Sequence, residues 1–229
     1  MFFGPFLLIY WLIFLGIVAF LFAMLAVGAI SYAFHALGLP PNTAFYALLL
    51  SLLGSYINIP IKRIQSGAHE PHTIEIVSHY GMRYRIPMRL ASPESTMIAL
   101  NVGGAIVPLI ISAWVLATQP EVILWAIIGT AIVTFVVHRA ARPIPGVGIA
   151  TPIFIPPIVA AIVGWIFGGD AYRHASAIAY VSGVMGTLIG ADLMNLGRLR
   201  ELGAPVASIG GAGTFDGIFL TGIVAVLLA

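Results

Sequence analysis

The apolar positions of this chain fall in long runs rather than alternating with polar ones. A helix needs about 20 apolar residues to cross a bilayer. Seven stretches meet or approach that length: residues 6–34, 43–61, 95–117, 121–138, 147–167, 172–196 and 206–229. "HALGLPPN" breaks the first from the second, and Lys62 and Arg63 close the second. Pro108 is expected to kink the third helix, and Pro120 to start the fourth. One insert departs from the pattern. "HTIEIVSHYGMRYRIPMRL", residues 72–90, mixes polar and β-branched residues around Tyr80-Gly81. It predicts a β-hairpin outside the membrane, within an insert of roughly residues 66–92. Arg83, Arg85 and Arg89 stand at even spacings on its return strand and share one face. A solvated or headgroup-facing face is the plain reading of these arginines, and recognition of a partner or substrate the sharper one. The expectation is a single all-α polytopic membrane domain over residues 1–229, with seven transmembrane helices and a small extramembrane β-hairpin.

Composition supports a bilayer partner. Of the 229 residues, 60% are hydrophobic and only 8% charged, and the mean hydropathy is +1.06; a soluble domain carries about 25% charged residues. With no cysteine, neither disulfides nor thiolate metal ligands are available. A net charge of +2, with no dense Lys/Arg cluster, excludes a phosphate-tracking nucleic-acid surface. The first 61 residues hold no Lys, Arg, Asp or Glu, so the N-terminal run lacks the basic start of a signal peptide and reads as a retained helix. Nine of the ten basic residues fall on alternate loops, and only Arg173 falls on the others. The positive-inside rule then puts the protein in the cell membrane with its N-terminus cytoplasmic and its C-terminus outside.

Polar groups at membrane depth are costly and mark functional interiors. Two carboxylates fall in predicted spans: Asp192 in "GTLIGADLMNLG" and Asp216 in "IGGAGTFDGIFLTGI". Their segments are consecutive, and on continuous helices the two acids differ in depth by about 7 Å. The glycines around Asp216, Gly210, Gly211, Gly213 and Gly217, permit local unwinding that closes this gap. Converged carboxylates share a proton: the charged one activates water, and the protonated one donates to a carbonyl or leaving nitrogen. The same pair binds a cation or relays protons in a carrier. Asn195, one turn past Asp192, and Asn101 beside Gly103 and Gly104 either pack between helices or join the site. Thr187, Thr214 and Thr221 bond to the helix backbone or serve the same site. Pro143, Pro145, Pro152, Pro156 and Pro157 in "HRAARPIPGVGIATPIFIPP" indicate a loop plus a kinked or discontinuous helix. The six histidines have no metal-ligand spacing, and no Gly-rich loop has a Walker lysine, so no metal or cofactor is expected.

"NVGGAIVP", "ARPIPGVGIATPIFIPP", "GVMGTLIGADLMNLG" and "GGAGTFDGIFLTGI" together resemble the prokaryotic family of multi-pass membrane proteins called domain of unknown function 1614, from about residue 50 to the end. That resemblance implies a membrane protein and transfers no activity. A fainter resemblance is to presenilins, signal peptide peptidases and prepilin peptidases, which set two aspartates on adjacent membrane segments, the second in a Gly-x-Gly-Asp motif. It implies that Asp192 is the first acid and Asp216 the second, with Gly211 and Gly213 as the motif glycines. This chain departs by placing Thr214 and Phe215 before Asp216 and Ala191 before Asp192, and by lacking a later Pro-Ala-Leu motif. Three readings follow: an aspartyl intramembrane protease cutting a transmembrane or membrane-bound peptide, a carrier using the same acids, and a structural or assembly protein. The sequence specifies no oligomeric state.

Overall fold

A computed structural model describes residues 5–40, 42–65, 73–77, 83–87, 95–144, 148–169, 174–201, 206–211 and 217–229. Helix α1 (Pro5–Ala36) is a single apolar rod, broken where expected. Gly38 ends it in the left-handed region, at φ 75°. From Ile9 its turns are mostly exposed, and Ala33 and Phe34 near its end, with Leu37 just past it, enter the core.

The second predicted span divides in two. Helix α2 (Thr43–Gly54) gives way to strand β1 (Asn58–Gln65). The third divides likewise: strand β4 (Ser95–Asn101), a π turn (Val102–Ile106) and helix α3 (Val107–Thr118). Pro108 occupies the first turn of α3, where its missing N–H costs nothing, so it starts this helix rather than kinking it. Between β1 and β4 the predicted hairpin is present as β2 (Thr73–Val77) paired antiparallel with β3 (Arg83–Pro87). Its Tyr80-Gly81 turn and Arg89 lie outside the described residues.

The fourth span is continuous. A 3₁₀ turn (Pro120–Val122) leads into α4 (Ile123–Ala140), with Pro120 at its start. A short ribbon follows, β5 (Arg142–Ile144) with β6 (Gly148–Ala150), then helix α5 (Ile155–Phe167). Pro156 and Pro157 stand in the first turn of α5, so the expected interior kink is replaced by a helix start. Helix α6 (Ala175–Thr187) continues through a π turn (Leu188–Asp192) into a 3₁₀ stretch (Leu193–Glu201). The last predicted span opens as strand β7 (Val206–Ile209), and its helix, α7, covers only Gly217–Leu228.

The all-α expectation is thereby corrected. Helices dominate, but β1, β4 and β7 form a three-stranded sheet with β4 central. β1 runs antiparallel to β4, from Asn58↔Asn101 to Gln65↔Ser95, and β7 runs parallel to it, from Met97↔Val206 to Leu100↔Ile209. The seven-span expectation is met in part. Three described helices are long and apolar enough to cross a membrane: Ile9–Ala36, Pro120–Ala140 and Ala175–Arg198. Those helices point to membrane association. Four others are shorter, and at 12 residues α2 and α7 reach only about 18 Å.

α6 is the central helix, with Ile178, Tyr180 and Val184 fully buried. α4, α5 and α7 surround it, and glycines set the spacing. A Cβ at Gly190 would sit 2.6 Å from the Thr134 carbonyl oxygen of α4, and one at Gly222 would sit 2.7 Å from the Tyr180 ring. Where lipid tails supply no hydrophobic drive between helices, such close backbone approach is what packs them.

Candidate functional site

The change of helical gauge in α6 places Asp192. It closes the π turn, where the ladder of backbone hydrogen bonds shifts register. Single π turns inside helices occur often at functional positions. Asp192 Oδ2 accepts a hydrogen bond of 2.7 Å from the Gly210 N–H, just past the end of β7. Gly210 and Gly211 follow with φ of 88° and 101°, a backbone that glycine adopts freely. A side chain at Gly210 would also meet Ala105, whose Cβ and amide nitrogen are each 2.7 Å from the Cβ position. The tip of β7 is thus clamped between the π turn that precedes α3 and the carboxylate that ends the π turn of α6.

A cavity of about 330 Å³ opens beside this clamp. Asp192, Thr187, Pro156, Gly211, Gly217 and Thr221 line it. Two short helices, α5 and α7, have their first turns on it, at Pro156 and Gly217. The Thr187 hydroxyl is buried and has no hydrogen-bond partner among the described residues. In sequence Asp216 immediately precedes Gly217, the first residue of α7. Asp216, Gly213 and Thr214 themselves lie outside the described residues. Pro157, next to Pro156, is buried in the first turn of α5.

Asn195 and Asn101 both make hydrogen bonds within the fold. Asn195 is fully buried, and its Nδ2 donates to the carbonyls of Gly190 (3.0 Å) and Ala191 (2.9 Å). His138 Nδ1 from the end of α4 lies 3.3 Å from the same Gly190 oxygen. These groups satisfy carbonyls that the π-to-3₁₀ transition strands. Asn101, also fully buried, accepts from the Gly104 N–H (2.8 Å) and donates to Ser55 O (2.7 Å) and Asn58 Oδ1 (3.1 Å). Ser208 of β7 donates to the same Asn58 oxygen, at 2.5 Å. Asn101 therefore ties α2, β1 and the start of the α3 unit together, one residue past the last β4–β7 pair. The bonds through Asn58 and Ser208 were not foreseen. Replacing Asn195 by leucine removes both of these bonds, leaves the Gly190 carbonyl with His138 alone and is expected to lower stability by about 2 kcal/mol, read by denaturant titration in detergent micelles.

The fold and site are those of a helical, membrane-associated protein with a largely apolar cavity, carrying Asp192, where two short helices start beside an acidic π turn. Residues 52–228 match the family model described as Protein of unknown function (DUF1614), and the chain belongs to that family. The match takes in the sheet, both π turns and the cavity. No curated protein and no solved structure matches the chain.

Proposed function

We propose that this protein is an intramembrane aspartyl hydrolase that cuts a peptide bond of a transmembrane or membrane-bound peptide, with Asp192 and Asp216 as its acid pair. One observation carries the reading. Asp192 shares its cavity with both Gly211 and Gly217, the described residues that bracket the run containing Asp216. One carboxylate holds and deprotonates the attacking water. The other, protonated, polarises the scissile carbonyl and then gives its proton to the leaving nitrogen. Gly211, Gly213, Thr214 and Gly217 shape the approach of the second acid. Pro156, on the cavity, and Pro157 begin α5, and Asn101 and Asn195 make hydrogen bonds at the two π turns. We assign the protein to the cell membrane, N-terminus cytoplasmic and C-terminus outside, on the bias of its basic loops.

A carrier is the second reading. It is favoured by the two short helices that begin at the cavity, since discontinuous helices line the ion and substrate sites of transporters. The two readings separate in liposomes. Wild-type protein is expected to cleave members of a transmembrane-peptide panel. The D192N and D216N variants should each lose cleavage by about 10²–10⁴-fold, the usual contribution of a general acid or base. Equal cleavage by wild type and variants, or none by any, overturns the hydrolase. Asp192-dependent solute or proton uptake without cleavage establishes the carrier.

A further inference from the structure

The register of the β2–β3 hairpin sorts its residues sharply. Directly opposed residues of an antiparallel pair share a face. Ile74 pairs with Ile86 and Ile76 with Tyr84, so one face carries four apolar positions. Thr73 pairs with Pro87, Glu75 with Arg85 and Val77 with Arg83, so the other face carries two arginines and one carboxylate. A two-stranded ribbon cannot cover such an apolar face by itself and is marginal alone in water.

The position of the hairpin identifies what covers it. β1 and β4 run from the Asn58↔Asn101 pair, beside the buried Asn101 network, to the Gln65↔Ser95 pair, and the hairpin is inserted beyond that second end. At about 3.3 Å per residue, the eight residues of β1 carry the chain roughly 26 Å from the network. Lys62 and Arg63 are exposed on β1, level with Ile98 and Met97 of β4. β7, also level with Met97, follows closely on the 3₁₀ stretch that holds Arg198. Half of the ten basic residues, Lys62, Arg63, Arg83, Arg85 and Arg89, lie between positions 62 and 89, against two carboxylates, Glu70 and Glu75. In sequence the hairpin is thus inserted between β1, with its Lys62 and Arg63, and β4, in a protein whose long apolar helices point to membrane association.

We infer that the β2–β3 hairpin lies flat on an anionic bilayer surface, its Ile74/Ile76/Tyr84/Ile86 face sunk into the boundary between headgroups and acyl chains and Arg83 and Arg85 level with the lipid phosphates. An amphipathic element with this division binds in that plane, by its buried apolar area together with attraction to anionic lipid. A basic residue near an anionic surface favours the bound state by about fivefold. Glu75, opposite Arg85, offsets part of that gain.

The absence of cysteine makes the test clean, because each introduced cysteine is the sole labelling site. Full-length protein carrying I74C, I76C or I86C on one face, or T73C, E75C or V77C on the other, is labelled with an environment-sensitive dye. Each is reconstituted in phosphatidylcholine vesicles with or without phosphatidylglycerol and quenched with brominated lipid. The isoleucine-face sites are expected to blue-shift and quench when phosphatidylglycerol is present, and the other face to stay wet. Changing both arginines, R83Q with R85Q, should lower the ratio of quenched to unquenched dye by about 25-fold, two such fivefold steps. Equal quenching of the two faces, or a face pattern indifferent to phosphatidylglycerol and to the arginines, overturns the inference. The latter result would mean that the apolar face packs on protein.

Discussion

Gly103→Ala is expected to destabilise the protein by about 3 kcal/mol, at the upper end of the cost of overpacking a filled interior. The Cβ would be driven into the Ser51 carbonyl oxygen and would sit 2.5 Å from the Ser55 nitrogen and 2.9 Å from the Gly54 carbonyl carbon. All three obstacles are backbone atoms at the end of α2, so no rotamer change relieves them. Moving α2 would stretch the Ser51 hydroxyl bond to the Gly103 carbonyl (3.0 Å) and the Asn101 bond to Ser55 (2.7 Å). Gly28→Ala is the control. Nothing described lies within 4 Å of its Cβ position on α1, and alanine is the better helix former by up to about 1 kcal/mol. Denaturant titration in mixed micelles should separate the two variants. A Gly103→Ala protein as stable as wild type would mean that α2 does not cross the π turn at this point.

Asp192 is expected to lose two different things in two variants. Asp192→Asn keeps a side-chain oxygen for the Gly210 N–H, so its stability should stay within about 1 kcal/mol of wild type. Asp192→Leu leaves that N–H, on a buried glycine, without its partner, at about 1–3 kcal/mol. On the hydrolase reading, activity divides differently: both variants should fall by about 10²–10⁴-fold, because neither carries an acid. Unfolding midpoints and peptide cleavage measured on the same preparations check this split. If Asp192→Asn cleaves as wild type does, the carboxylate serves only to hold β7.

Some of the specific local signals in the sequence held. The β-branched run around Tyr80-Gly81 marked the hairpin, "HALGLPPN" the end of α1, and Pro120 the start of the fourth helix. The strands inside apolar runs were hidden. "STMIALN" and "VASI" are short and apolar, and periodicity cannot tell a buried strand from part of a helix. Counted toward a length of about 20, they looked like the first turns of membrane spans. The breakers were visible, Asn101 with Gly103 and Gly104 after one run and Gly210-Gly211 after the other. From the sequence alone the first reads as a polar insertion within a span and the second as a site of unwinding or close packing, neither as the end of a strand. Asp192 was recognisable as an anomaly, but its partner was not. A backbone N–H is present at nearly every residue, so only the fold shows that the one at Gly210 meets this carboxylate.

The parallel pairing of β4 with β7 imposes an order on biosynthesis. Met97 meets Val206, 109 residues later in the chain. At the usual elongation rate of about 5–20 residues per second, β4 is made roughly 5–20 s before its second neighbour exists. Through that interval β1 protects one side of β4, while the other side shows open N–H and C=O groups. Helices α3 to α6 are all synthesised while that edge stands open. The nascent chain therefore seals its sheet only after most of its apolar helices have had time to insert, and the emergence of β7 completes the seam and brings Gly210 to Asp192 in one late event.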